Sequence, residues 1–142
     1  MFPFPSNSFD EVYSRFLFEH LTNPLHFLKE CYRVLKKGGR IVIITDNAGF
    51  FGWLTSVHQG GYEDVSKKKG ADEDKHYALF TPSHLKNWLE KVGFKNVKVE
   101  YTIDMREIDG RTPLKKSHIP FILFLSKINR KWSPHIKAVG IK

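Results

Sequence analysis

A chain of 142 residues with 41% hydrophobic and 27% charged side chains is long enough to bury one core, and its composition excludes fibrous and wholly disordered classes. Its formal charge of +8, from 23 Lys and Arg against 15 Asp and Glu, would draw anionic partners if it shared one face. The densest groups, Lys67 to Lys69, Lys115 with Lys116, and Lys127 to Lys131, read as dispersed and carry no aromatic interleaving, so no nucleic-acid partner is expected.

The start, Met-Phe-Pro-Phe-Pro, has no basic leader before an apolar run and is read as no signal peptide. Phe9 to Phe16 then reads as a strand, entered through a Pro-Ser-Asn-Ser turn cluster. Thr22 or Asn23 caps a helix with Pro24 in its first turn and Leu25, Leu28, Cys31 and Leu35 at helical spacing; Gly38 and Gly39 are expected to end it. Cys31 on that stripe is a small core residue, and a single cysteine excludes an intrachain disulfide and fits a cytoplasmic, reducing setting. Ile41 to Ile44 is an unbroken apolar run, as in a strand covered on both faces of a parallel sheet, so the three elements form a right-handed βαβ unit.

Phe50 to Val57 suggests a short helix, and the polar Gly60 to Lys75 a mobile loop over the ligand-facing side. Thr81 caps the next helix, Pro82 fills its first turn, Leu85, Trp88, Leu89 and Val92 form its stripe, and Gly93 stops it. Asn96 to Ile103 alternates strictly, which suits a strand near the sheet's edge. After a polar connection, Asp104 to Ser117, the apolar run Ile119 to Ile128 favours a helix starting near Pro120 while leaving a strand open; His135 to Ile141 is the last strand. Both Ile41 to Ile44 and Ile119 to Leu125 are too short to span a bilayer. No repeat or linker divides residues 1–142, which read as a single domain.

Three phrases carry a resemblance: Phe-Pro-Phe-Pro-Ser-Asn-Ser-Phe-Asp-Glu-Val-Tyr from Phe2, Phe-Glu-His-Leu from Phe18, and Tyr-Arg-Val-Leu-Lys-Lys-Gly-Gly-Arg-Ile-Val-Ile from Tyr32. Together they resemble the middle block of class I S-adenosylmethionine-dependent methyltransferases, in particular the small-molecule branch called methyltransferase type 11. Thr-Pro-Ser-His-Leu from Thr81 and Leu-Glu-Lys-Val-Gly-Phe from Leu89 look like the helix before the family's sixth strand. The resemblance implies an α/β fold: a partial Rossmann-like sheet of family strands four to seven, the last antiparallel, with flanking helices. The family's glycine-rich loop and ribose-binding acid have no counterpart in these 142 residues and are expected upstream.

By the same resemblance S-adenosylmethionine is the implied cofactor, with Ser14, Arg15, Phe16 and His20 facing it. His20 is the candidate catalytic base or substrate contact, its unperturbed pKa lying near neutrality. A structural histidine at position 20 and a purely core role for Phe16 and Leu17 remain open. Glu19 is expected to serve the following helix start. The implied acceptor is a small molecule or a lipid- or sugar-linked compound, and the implied partner a second copy or a complementing chain. The alternative is a non-catalytic remnant acting as an interaction module.

Other constellations are weak. His26, His58, His76, His84, His118 and His135 show no close ligand spacing, and no metal is expected. Asp72, Glu73, Asp74 and His76 could touch a cation, and Arg106 with Arg111 an acidic substrate, beside the simpler reading of both sets as exposed loop charge. Walker, Gly-x-Ser-x-Gly and dinucleotide fingerprints are absent.

Overall fold

The computed structural model describes residues 2–54, 76–104 and 116–142. The expected loop Gly60 to Lys75 lies outside them, as does most of the Asp104 to Ser117 connection. Strand β1 (Phe9–Arg15) runs parallel to β2 (Leu35–Asp46), with Val12 opposite Ile41 and Arg15 opposite Ile44. Helix α1 (Pro24–Val34) makes the crossover: Asn23 Oδ1 accepts from the His26 amide at 3.0 Å, and Pro24 occupies a first-turn position whose amide has no intrahelical partner. Ile41 to Ile44 are all buried, as an unbroken apolar run requires.

Helix α2 (Pro82–Val92) starts where Thr81 Oγ1 accepts from the His84 amide and ends at Gly93, whose φ of 118° is the left-handed conformation glycine reaches without strain. Its Leu85 and Leu89 join Leu28 and Cys31 of α1 and Ile41 and Ile43 of β2 in one core. Burial pushes the Cys31 thiol up to about 12, so it stays protonated at neutral pH and acts as a small apolar side chain. β3 (Lys95–Thr102) is an edge strand, as its alternation implies, and β4 (His135–Ile141) lies antiparallel between β2 and β3. The sheet order is therefore β1-β2-β4-β3, the α/β arrangement expected from the sequence. Helix α3 (Ile119–Ile128) resolves the remaining ambiguity in favour of a helix; of the short helix expected over Phe50 to Val57, the described residues show a 3-10 turn, Phe51–Leu54, and the remainder lies outside them.

One boundary differs from expectation. α1 stops at Val34, and Leu35 is already extended, so Gly38 and Gly39 fall inside an irregular stretch of β2. The physical reason is a partner from the other end of the chain: Lys142 Nζ donates to the carbonyls of Leu35 at 2.7 Å and Arg33 at 3.3 Å and sits 4.9 Å from the centre of the Tyr32 ring. A cation satisfying the last carbonyls does the work expected of a glycine cap. Gly38 is still needed, at φ 82°, where β2 bulges and its amide donates to the Lys142 carbonyl.

The segment before β1 is clamped to α1. Glu30 accepts from the Phe2 amide at 2.7 Å and from Arg33 Nη2 at 2.9 Å, while Arg33 Nη1 donates to the Phe4 carbonyl. The Arg33 hydrogen bond, then that of the Phe2 amide, hold the Glu30 carboxyl at about 2. A depressed carboxylate stabilises the fold fully above its unfolded value of 4.5, and that contribution is lost as pH falls through about 2. Acid titration followed by amide exchange should therefore keep Phe2 protected at pH 4, with protection failing only near the folded value; Glu30→Gln should weaken it already at neutral pH.

Candidate functional site

β1 and β2 end on the same side, β4 begins there because it runs the other way, and an isolated parallel bridge sets Phe80 beside Asn47 just beyond β2. Side chains distant in sequence meet at this end, where open α/β sheets bind ligands. Arg15, the last residue of β1, donates from Nε to Asp104 Oδ2 at 2.8 Å, tying β1 to the segment after β3. Phe16 follows at φ 46°, a conformation uncommon for a bulky residue, and its ring meets His135 edge-on at 4.8 Å. Ser14 is buried, and its Oγ has no hydrogen-bond partner among the described residues.

A 3-10 turn, Phe18–His20, then carries the second group. Glu19 does not serve the following helix start, as expected, but is buried with a carboxylate that accepts from Thr45 Oγ1 at 2.6 Å. Its main-chain carbonyl accepts from the Tyr77 amide at 2.8 Å, which draws residues 76–80 against the turn. The His20 and His76 rings meet edge-on with centroids 4.6 Å apart.

Asp46, at the end of β2, links the two groups: one oxygen lies 3.4 Å from His76 Nδ1 and the other 3.9 Å from His135 Nε2. His135 Nδ1 accepts from the Asp104 amide at 3.0 Å, which places its proton on Nε2, toward Asp46. Arg15 and Phe16 are thus brought together with His135, and His20 with His76, whereas Ser14 Oγ is hydrogen-bonded to neither group among the described residues. Although the sequence shows no ligand spacing, Glu19, His20 and His76 each offer a ligand atom within 4.8 Å of the others, a two-imidazole, one-carboxylate set of a kind that suits a divalent cation.

Thr45, Asp46, Asp104 and His135 are not singled out by the sequence, and His76 stands out there only beside Asp72, Glu73 and Asp74, not with His20. For Thr45 and Asp46 a signal exists, since they follow the buried run Ile41 to Ile44 and so fall at a strand's carboxyl end. For the placement of His76, Asp104 and His135 there is none, because it depends on strand order.

The buried, unpartnered Ser14 Oγ is a donor available to a polar ligand, and the left-handed Phe16 turns the chain away from β1 at that point; the residues present fit one side of a site for the family's cofactor. An uncharacterized protein of Methanocaldococcus jannaschii is 32% identical over 108 residues, 75% of this chain and 48% of that protein. A tRNA U34 carboxymethyltransferase of Hydrogenovibrio crunogenus is 32% identical over 94 residues, 66% of this chain and 26% of that enzyme. The chain thus spans about half or less of these relatives. A crystal structure of a Thermotoga maritima S-adenosylmethionine-dependent methyltransferase shares the fold over 100% of this chain and 59% of its own, with a TM-score of 0.66 at 22% identity. A family model described as a methyltransferase domain matches residues 1–99, and with this sheet order behind the match the chain belongs to the class I methyltransferase family.

Proposed function

We propose that these residues form the acceptor-side part of an S-adenosylmethionine-dependent methyltransferase acting on a small molecule or a lipid- or sugar-linked compound. The observation that carries the reading is the His20–His76 pair, set at the carboxyl ends of β1 and β2 between Glu19 and Asp46. When bound, S-adenosylmethionine supplies an electrophilic methyl group on a sulfonium. What remains for the protein is to align the acceptor, exclude water and accept a proton.

In this reading Asp46 orients His76 through Nδ1, and the imidazole pair takes the proton from an acceptor hydroxyl or amine. His20 keeps its place as a candidate catalytic residue, with His76 beside it. Ser14, Arg15 and Phe16 line the cofactor side, Arg15 acting through its bond to Asp104, which fixes the end of β1 against the residue after Ile103.

The 142-residue polypeptide by itself has no glycine-rich strand-loop to approach the cofactor closely or acid to hold its ribose. Calorimetric titration with S-adenosylmethionine is therefore expected to show binding no tighter than millimolar. Adding a polypeptide that carries the strand and its Gly-x-Gly loop should bring binding into the micromolar range. Tight stoichiometric binding to the polypeptide alone would overturn the incomplete-site reading. No binding in either arm would favour the interaction module instead.

A further inference from the structure

In sequence the positive charge is unevenly placed. Residues 110–142 hold eight Lys and Arg and no Asp or Glu, so the rest of the chain balances at 15 of each sign and the whole surplus of +8 falls in this segment. Within it lies α3, held by Ile122, which packs in a small cluster with Phe50, and by buried Ser126. Its opposite side is largely exposed: Phe121, whose ring also meets Phe51 edge-on at 6.1 Å, is 52% exposed, Phe124 60% and Ile128 61%, spaced as one helical face, with Trp132 37% exposed beyond its end and Leu123, also 37% exposed, on the other flank of the helix. Among the described residues, five of the ten exposed large apolar side chains fall between 121 and 132. Lys127, Arg130 and Lys131 are exposed in the same stretch.

We propose that this face of α3 and the following turn, Arg130–Trp132, is a docking surface for an anionic lipid bilayer. An apolar stripe of Phe and Ile bordered by cations, with a Trp at one end, lies stably in the plane of a membrane interface: the rings and aliphatic chains enter the acyl boundary while the cations meet lipid phosphates. Neither half of the pattern suffices alone. Charge without exposed Phe124 and Ile128 is a solvated surface, and an apolar face without cations has no stated partner. RNA would use the cations and could stack on the aromatic rings, but it gains nothing from Ile128. The surface binds without spanning, since no described helix is long and apolar enough to cross a membrane. Because Ile122 packs on Phe50, just beyond the end of β2, docking would set the site's end of the sheet near the lipid. The proposal does not depend on the acceptor being a lipid.

The full chain is sedimented with vesicles of phosphatidylcholine, and with vesicles of phosphatidylcholine and phosphatidylglycerol in equal parts. Binding is expected to the anionic vesicles, weakening steeply with added salt. Each cation near the surface should contribute about fivefold, so changing Lys127, Arg130 and Lys131 together to Gln should lower affinity about a hundredfold. Phe124→Ser with Ile128→Ser should also weaken binding while leaving the thermal melting point unchanged, since both side chains are exposed. Failure to bind anionic vesicles overturns the proposal, as does binding indifferent to both sets of changes. If Phe124→Ser with Ile128→Ser instead dissociates an oligomer that ignores vesicles, the face joins copies of the chain. If tRNA binds in a way only the Gln changes weaken and vesicles do not, the charge serves RNA.

Discussion

Phe18→Ala is expected to lower stability by about 3–5 kcal/mol, the usual cost of emptying a buried aromatic site. Against a total of about 5–15 kcal/mol for a domain, this is a large fraction. Phe18 is 0% exposed, and its ring meets Phe80 at 4.7 Å and Phe27 of α1 at 6.2 Å. It therefore joins the turn after β1 and the crossover helix that follows it to the segment leading into α2, about sixty residues further along the chain. Glu19 and His20 stand on the same turn, and His76 lies on the segment that ends at Phe80, so the ring also sets the distance between the two histidines. Urea unfolding should show a lower midpoint with an unchanged slope. Phe18→Leu keeps most of the volume and should cost under about 1.5 kcal/mol, giving a folded protein in which the separation of His20 and His76 can be tested alone. A loss below about 1 kcal/mol for Phe18→Ala would mean that this junction is not part of the cooperative core.

That junction also shows what a sequence reveals and what it withholds. Local signals worked where the physics is local: Asn23 and Thr81 cap, Pro24 and Pro82 start, Gly93 stops, and the buried run Ile41 to Ile44 forms a strand. The end of α1 was not local, because Lys142 caps it from the opposite terminus. The candidate site residues divide in the same way. Ser14, Arg15, Phe16 and His20 are proposed from the family's phrases, whereas the neighbours the fold brings to them are not to be read there. Asp104 reaches Arg15 across the sheet, and His135 reaches Asp46 only because β4 runs antiparallel beside β2. Periodicity finds faces and cannot find such pairs. Charge adds a further signal along the sequence, since residues 110–142 lack any acid.

The 142-residue polypeptide is expected to associate through the outer edge of β1. Among the described residues β1 pairs with β2 on one side and ends the sheet on the other, with Phe9 36% and Tyr13 48% exposed. An edge of that kind templates pairing unless charge, proline or a bulge protects it. Asp10 and Glu11 supply charge, but each is matched within the chain, Asp10 by Lys36 at 2.9 Å and Glu11 by Arg40. In a two-fold antiparallel pairing centred on Val12, moreover, Glu11 would stand opposite Tyr13 and Phe9 opposite Arg15, so no acid faces an acid. The protection is weak, and burial of two aromatic rings outweighs it. A second copy, or a complementing chain with a free strand, satisfies the edge equally well. Light scattering over a dilution series should show a dimer at micromolar concentration, with slow exchange in the outward-facing amides of the Glu11 to Arg15 stretch. Supplying the complementing strand should displace the second copy rather than add to it. A monodisperse monomer at high micromolar concentration, with those amides exchanging rapidly, would show that the edge is tolerated as it stands, and that Asp10 and Glu11 protect it despite their lysine and arginine partners.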